Sequence, residues 1–449
     1  MDFFRKISIL DVDNQLENIV FGRCDMDKVN RLDSDSRLKK KVKKYIMTRW
    51  SIPFAGFLLA LMGGFSYAWG VFIIPMEERF GWTKTEANLP FTVFVLVFAL
   101  FRIPAGRLQD RIGPRRVSAF GAVLFFVSYG LSALVDRFPY PWWLVLNYSL
   151  LGGIACGLTY ACVVPPARKW FPDKPGLAIS FGVMGFGLAA LVLAPLKAKH
   201  LIPNFGIEGT FFIIAFITSS VSLFAAWLIR NPPAGWTPPG WKADNKTEKK
   251  ILVRQESTPR EMLGNPIFTI MWSAMALVCA GGLICIGLIP SYGIFALGLT
   301  PVRAALAMSI FAGFNGFGRP VAGLLGDKFG AVQVMIVTYI VQAITLLFFH
   351  IFAVTLPTLY IASALLGWGY AVTLALFPAL TSICFGIKHL GVNYGILITA
   401  FGIGGLAPAV GSWLFDITGS YTSTFISAGI MAGVSVILCV VLKRKYSLS

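Results

Sequence analysis

GRLQDRIG, residues 106–113, returns as GLLGDKFG at residues 323–330, about half a chain length later. Both copies keep glycine, leucine, aspartate, a basic residue and a final glycine at the same positions. A weaker echo relates Phe186 and Gly187 to Phe401 and Gly402. Repetition on this scale predicts two structural units with the same order of elements.

Apolar segments flank both copies of this motif. Of the 449 residues, 56% are hydrophobic and 13% are charged, a composition typical of multi-pass membrane proteins. Windows of about 20 residues, the length that crosses a bilayer, predict twelve helices. These helices lie near residues 50–76, 87–107, 116–136, 142–167, 175–197, 209–230, 266–290, 301–325, 331–353, 356–382, 391–415 and 421–442. We therefore predict an all-α membrane protein with two pseudo-symmetric six-helix bundles, and the motif follows the second helix of each.

One long polar connection, rich in proline and charge, separates the two sets of six helices. The predicted organisation is a basic N-terminal tail (1–49), an N-terminal bundle (50–230), a linker (231–265), a C-terminal bundle (266–442) and a short C-terminal tail (443–449). Neither the tails nor the linker has an obvious apolar core of its own.

The formal net charge of +18 is distributed unevenly. Most basic residues precede the first helix, follow the even-numbered helices or occupy the linker and the C-terminal end. The loops on the other side hold few, chiefly Arg79, Lys84, Arg137, Lys197, Lys199 and Arg303. This positive-inside bias predicts a multi-pass plasma-membrane protein with both termini and the linker in the cytoplasm. The basic run RLKKKVKK at 37–44 is then a topology signal near anionic lipid, and no nucleic-acid partner is expected.

Parallel six-helix repeats that each carry this motif resemble the major facilitator superfamily. Further stretches resemble the oxalate:formate antiporter family and the related bacterial monocarboxylate transporters, and the likeness covers residues 50–442. They are YAWGVFIIPMEERFGWTKTEANLPFTVF from Tyr67, RKWFPDKPGLAISFGVMGFG from Arg168, RNPPAGWTPPGW from Arg230, FNGFGRPVAGLLGDKFG from Phe314 and HLGVNYGILITAFGIGGL from His389. The resemblance implies a substrate site midway across the membrane, with Arg319 of the eighth helix on the substrate carboxylate and Asn315 one turn earlier.

Physical chemistry favours the same role for Arg319. It precedes Asp327 by eight residues, so it lies roughly 12 Å into the membrane from the motif loop. Its insertion costs about 2.5 to 3.5 kcal/mol, and no aspartate or glutamate of the other helices is deep enough to neutralise it. A bound carboxylate would supply the missing partner through two parallel hydrogen bonds. The alternative is a structural arginine whose hydrogens are satisfied by helix-end carbonyls.

The duplication places Arg102 at the equivalent depth of the second helix, eight residues before Asp110. Two cations could hold two carboxylates, but Arg102 could instead face a helix interface or reach toward the cytoplasm. In the oxalate carrier of the family the second cation is a lysine of the eleventh helix, and the aligned residue here is Phe401. This departure favours a monocarboxylate such as lactate or formate over oxalate.

Aromatic residues interrupt the glycine-rich helices at Tyr67, Trp69, Tyr160, Trp368, Tyr370, Tyr394 and Phe401. Their rings and hydroxyls can shape a small-anion pocket, although packing or a headgroup belt explains each one equally well. Tyr67 and Trp368 are the preferred candidates, because the first and tenth helices line the central cavity in the superfamily.

The repeated motif itself is expected to act in conformational change and not in substrate binding. Its aspartates, Asp110 and Asp327, can accept hydrogen bonds from a neighbouring helix N-terminus and from basic residues. With Arg111 and Lys328 they are predicted to latch the cytoplasmic gate in one state.

No catalytic, nucleotide-binding or metal-binding motif occurs, and the seven cysteines are scattered. The sequence thus predicts no enzyme, catalytic residue, cofactor or metal, and transport would be secondary. Proton symport and anion exchange both remain open, so protons are a possible partner beside the small carboxylate and membrane lipid. A monomer is expected. A membrane anion sensor that does not transport is the alternative from another functional class.

Overall fold

A computed structural model describes residues 36–233, 236–238, 256–407, 414 and 417–446. Every regular element in these ranges is helical. Residues 1–35, which make up most of the predicted N-terminal tail, and the middle of the predicted linker lie outside the described residues.

Six helical segments form the N-terminal half. The segments are α1 (Ser36–Gly63, a 3₁₀ stretch Gly64–Phe72, then Ile73–Phe80), α2 (Lys84–Ile112), α3 (Pro114–Ser132, with 3₁₀ Ala133–Asp136), α4 (Pro141–Leu144, π-helical Val145–Leu151, Gly152–Ala161 and Val164–Trp170), α5 (Pro175–Leu196, then π-helical Lys197–Leu201) and α6 (Ile202–Leu228). Their order along the chain follows the prediction.

The C-terminal half contains the matching set. It comprises α7 (Pro266–Phe295), α8 (Pro301–Phe329), α9 (Ala331–Leu347, with Phe349–Phe352), α10 (Leu356–Phe385), α11 (Leu390–Leu397 and Thr399–Gly404) and α12 (Tyr421–Tyr446). A short helix, Pro259–Leu263, precedes α7 and begins with a capping box between Thr258 and Glu261.

Length and hydropathy agree with membrane insertion. Within the described ranges, eight helical segments are long and apolar enough to cross a bilayer, and three shorter apolar helices accompany them. The shorter ones belong to α5, α9 and α11.

Several details differ from the sequence-based boundaries. The motif was predicted to follow the second helix of each half, but it forms the last turns of that helix, since α2 continues to Ile112 and α8 to Phe329. Helix α1 begins at Ser36, fourteen residues before the predicted start of the first helix, because this lysine-rich run has no glycine or proline before Pro53. Helix α12 similarly continues to Tyr446, through residues predicted as a tail. Lys197, predicted in a loop, is buried instead, and its Nζ donates to the carbonyl of Phe65 at 3.2 Å.

The last glycine of each motif has a geometric reason. Gly113 and Gly330 have φ values of 86° and 90°, in a region that residues with a side chain rarely adopt. Each residue ends one helix and directly precedes the next, α3 or α9. The motif therefore makes the same tight corner in both halves, and we call the end of the molecule that carries these corners the motif end.

The two halves meet mainly along two pairs of helices, α5 with α8 and α2 with α11, and α5 also packs against α10. The two main pairs are equivalent under the internal repeat. Arg319 lies on α8 and Arg102 lies on α2, so both predicted cations belong to helices at the interface between the halves.

Candidate substrate site

Arg319 is fully buried and extends from α8 toward α5 of the other half. Its Nη1 donates to the carbonyl oxygen of Val183 at 2.6 Å. Nε and Nη2 both donate to Oδ1 of Asn315, at 3.3 and 3.1 Å, one helical turn away. The protein thus fixes the plane of the guanidinium, and Asn315 lies where the sequence placed it.

The approach of α5 to α8 beside Arg319 depends on small residues. A Cβ on Gly187 would lie 3.0 Å from Cα of Gly316 and 3.3 Å from Nε of Arg319. Both distances are tighter than ordinary contact, so a pair of glycines allows the backbones to meet at this level.

Arg102 is also buried, with 1% of its surface exposed, but its hydrogen bonding is different. Its Nε and Nη1 have no hydrogen-bond partner among the residues that the structure describes. The guanidinium instead lies 4.6 Å from the ring centre of Tyr160, 5.0 Å from that of Tyr394 and 5.9 Å from that of Phe98. Aromatic faces stabilise a cation but accept no conventional hydrogen bond, so two donor atoms remain available.

The two arginines face a common group of tyrosines. Arg102 and Arg319 both act electrostatically on the hydroxyls of Tyr160 and Tyr394. The Tyr394 hydroxyl is buried and has no hydrogen-bond partner within the described ranges. Neither arginine pairs with a described aspartate or glutamate. The arrangement therefore places two positive charges and a phenolic donor in an interior where no described carboxylate compensates them.

The other predicted site residues, Tyr67, Trp368 and Phe401, differ in their contacts with the two arginines. Tyr67 is half-buried, and its hydroxyl interacts electrostatically with Arg319. Its ring packs edge-on to that of Phe186, with ring centres 4.9 Å apart. Trp368 lies against Gly318, next to Arg319 in sequence: a Cβ on that glycine would be 3.2 Å from Cε3 of the indole. Phe401 is buried on α11 and makes no cation–π contact with Arg102, whose three aromatic neighbours are described above.

The neighbours that orient Arg102 and Arg319 were not identified from the sequence. Tyr160 and Tyr394 were noted only among many aromatics, although they flank Arg102. The backbone carbonyl of Val183 carries no sequence signal at all. Trp69, in contrast, is an N-half core residue whose indole donates to the carbonyl of Ala87.

The motif aspartates cross from one half to the other. Asp110 accepts hydrogen bonds from the backbone N–H groups of Gly391 and Val392 at 3.3 and 3.1 Å, in the first turn of α11. Asp327 accepts from Gly176 and Leu177 at 2.7 and 2.9 Å, in the first turn of α5. Each carboxylate therefore caps the N-terminus of a helix in the opposite half, where unpaired N–H groups and the helix dipole favour negative charge.

The basic residues of the motif behave differently from the expectation. Arg111 and Lys328 are exposed and form no ion pair with the two motif aspartates in the described structure. The cations that act on these carboxylates come instead from the end of α4, where Lys169 faces Asp110 and Arg168 faces Asp327. The sequence RKW after the fourth apolar segment could have indicated this pair.

Arg168 and the linker add further contacts at the motif end. Nε of Arg168 donates to the hydroxyl of Ser382 on α10 at 3.1 Å, which joins the halves. Glu256 accepts from the backbone N–H groups of Ile387 and Lys388 at 3.3 and 2.8 Å, just before α11. The motif end is thus closed by hydrogen bonds from several elements.

We expect Asp110→Asn and Asp327→Asn each to weaken this closure, because a neutral amide interacts less strongly with a helix N-terminus. The closed motif end should lose about 1 kcal/mol of stabilisation per site, which lowers the ratio of closed to open protein roughly fivefold. In Asp110→Asn, hydrogen exchange should accelerate in peptides that contain Gly391 and Val392. In Asp327→Asn, it should accelerate in peptides that contain Gly176 and Leu177. Asp136→Asn, which removes a carboxylate paired with Arg79 within the N-half, is the control. Unchanged exchange in both motif variants would show that the charge of the caps is unimportant.

No group of three or more histidine, cysteine, aspartate or glutamate side chains in the described ranges is arranged to hold a metal ion. The guanidinium groups of Arg102 and Arg319 and the phenol of Tyr394 offer positive charge and directional hydrogen-bond donors.

Comparison with known proteins places this architecture in a family. The sequence profile of the Major Facilitator Superfamily matches residues 54–320 and 288–448. The chain is 29% identical over 375 residues to the oxalate:formate antiporter of Oxalobacter formigenes, over 81% of this chain and 85% of that protein. It is 27% identical over 365 residues to the uncharacterized MFS-type transporter YhjX of Escherichia coli K12, over 81% and 87%.

Among solved structures, the fucose:proton symporter FucP of E. coli aligns with a TM-score of 0.65 at 15% identity, over 88% of this chain and 98% of that chain. At this identity the likeness concerns the fold alone. The predicted fold class and the resemblance to the superfamily are confirmed. The chain therefore belongs to the Major Facilitator Superfamily and is a multi-pass membrane transporter, not an enzyme.

Proposed function

We propose that this transporter carries small organic anions, with monocarboxylates such as lactate or formate as substrates, by alternating access without a built-in ATP drive. The observation that carries the proposal is the buried guanidinium of Arg102, whose Nε and Nη1 have no hydrogen-bond partner in the described part of the chain. Arg319 shares its tyrosine neighbours, and neither cation is paired with a described carboxylate.

Electrostatics explains why an anion suits this site. A buried cation without a counter-ion is costly, and a carboxylate that enters between the two arginines removes that cost. The free donors of Arg102 can bind the two oxygens, while Asn315 and Val183 hold the Arg319 guanidinium in a fixed plane. Preorganised donors lose little freedom on binding, which favours affinity for a small ligand.

Exchange of oxalate and formate is the second candidate function. Two guanidinium groups that act electrostatically on the same two tyrosines could hold the two carboxylates of oxalate, and the chain is similar to an oxalate:formate antiporter. Phe401 argues for the monocarboxylate, because in the family's oxalate carrier a lysine provides the second cation at the aligned position. The substitution removes a charge but leaves Arg102 available.

The proposed orientation follows from the distribution of basic residues. We place the motif end in the cytoplasm, with both termini and the linker, so the contacts of Asp110 and Asp327 belong to a closed cytoplasmic gate. Residues 50–230 and 266–442 would then move as two bundles around the arginines. The transporter is proposed to act as a monomer in the plasma membrane.

Coupling follows one of two schemes. In exchange, the transporter would switch between its outward-open and inward-open states only with an anion bound to the arginines, so each anion carried in one direction is followed by another in the opposite direction. In proton symport, the proton would travel on the substrate's own carboxyl group or through groups outside the arginine site. Uptake into liposomes loaded with unlabelled substrate, compared with uptake driven by an imposed pH gradient, separates the two schemes.

Purified protein in liposomes should take up labelled lactate or formate, and unlabelled monocarboxylates should compete better than oxalate. The physical reason is that Phe401 offers no charge to a second carboxylate. If oxalate displaced the label at a tenfold lower concentration than lactate, formate and pyruvate, oxalate:formate exchange would be the better assignment. Binding of these anions without any uptake would instead support a sensor.

A further inference from the structure

A groove of about 300 Å³ lies on the outer surface of α2, near the motif end. It is lined by Ile103, Pro104, Arg107, Leu108 and Arg111. Arg107 and Arg111 are both exposed, and neither forms an ion pair with a described residue. They occupy the last turns of a helix that is apolar enough to cross the membrane, so their charges lie near its boundary.

The groove and the gate use neighbouring residues of the motif on different sides of the helix. Asp110 points to α11 of the other half, whereas Arg111, the next residue, lines the groove. None of the described gate contacts involves the side chain of Arg111.

Residues four apart on a helix are neighbours, with Cβ atoms roughly 5–6 Å apart. The guanidinium groups of Arg107 and Arg111 can therefore converge on one tetrahedral anion, since planar guanidinium forks match phosphate geometry. The internal repeat provides a comparison, because the motif positions of these two arginines are taken by Leu324 and Lys328 in the second half. The paired arginines are thus specific to the first copy.

We propose that this groove binds the phosphate of an anionic phospholipid, with Arg107 and Arg111 on the headgroup and Ile103 and Leu108 along an acyl chain. Charge complementarity supports this occupant: two unpaired guanidinium groups lie beside an apolar surface at the membrane boundary. A soluble phosphate would use the arginines but not the apolar residues. The inference concerns a different surface from the anion site at Arg102 and Arg319 and does not depend on the transported substrate.

Native mass spectrometry of detergent-purified protein titrated with phosphatidylglycerol or phosphatidylcholine tests the site. We expect wild type to prefer phosphatidylglycerol, and the double variant Arg107→Gln/Arg111→Gln to lose about 30-fold in apparent affinity for it, or roughly fivefold per arginine. The matched control is Arg115→Gln/Arg116→Gln, which removes the same charge from exposed positions on α3 outside the groove. Its phosphatidylglycerol affinity should stay close to that of wild type.

Equal losses in the two double variants would overturn the proposal, because they would indicate general attraction between charge and lipid. Efficient competition by inorganic phosphate would also overturn it, since a soluble anion would then be sufficient. A Leu108→Asn variant provides a second measurement, with an expected loss of affinity although both arginines remain. No transport assay enters these comparisons, so their failure would leave the proposed substrate class untouched.

Discussion

Arg102→Ala is expected to reduce both substrate binding and uptake at least 30-fold while the protein stays folded. Loss of one partner of a buried, hydrogen-bonded charge pair costs about 2 to 5 kcal/mol, and 1.4 kcal/mol corresponds to a factor of about ten. Folding should be maintained because Nε and Nη1 have no hydrogen-bond partner among the described residues that the substitution would remove. Substrate-induced thermal stabilisation and liposome uptake measure the two effects.

Arg319→Ala should impair transport equally but should also lower thermal stability. This side chain donates to Asn315 and to Val183 of the other half, so its removal breaks a bond between the halves. Lysine at either position should retain less than a tenth of the affinity, because an ammonium keeps the charge and loses the planar fork. Arg303→Ala, an exposed arginine on the same helix as Arg319, is the control.

Two results would contradict a site that uses both arginines. If Arg102→Ala kept near wild-type affinity for every anion that the wild type binds, its unpartnered donors would not contact the substrate. If Arg319→Ala alone abolished binding, a single-cation site would replace the paired one.

Gly106→Ala and Gly323→Ala are expected to keep the motif end from closing. A Cβ on Gly106 would overlap the carbonyl oxygen of Gly391, and a Cβ on Gly323 would overlap that of Gly176. Both obstacles are backbone atoms of the opposite half, which cannot rotate away as a side chain can. Overpacking of this kind costs about 1–3 kcal/mol, so the closed arrangement should lose population about 5- to 150-fold.

Spin labels on exposed residues of the two halves at the motif end would report a longer mean distance in these variants, together with slower uptake. Gly313→Ala is the matched control, because this glycine lies on the same helix as Gly323 and a Cβ there would meet nothing within 4 Å. Distances that match wild type in both interface variants would show that the helices can separate slightly and still close.

Membrane insertion and the duplicated architecture were determined by the sequence alone. Hydrophobicity over about 20 residues acts locally, so the twelve helices could be placed without knowledge of their neighbours. The motif recurs because each half needs the same corner, and the positive φ of Gly113 and Gly330 gives that corner a local cause. Arg319 and Arg102 could be selected because any cation in an apolar segment needs an explanation.

The partners of those residues were decided only by tertiary structure. Asp110 finds its donors at Gly391 and Val392, which lie far along the chain and donate through backbone N–H groups that carry no sequence signature. The carbonyl of Val183, which accepts from Arg319, could not be predicted either, because it too is a backbone group without a sequence signature. Burial of Lys197 likewise depended on the packing of α5 against the 3₁₀ stretch of α1. Hydrophobic pattern fixes which segments enter the membrane, but hydrogen bonds between distant backbones depend on how those segments meet.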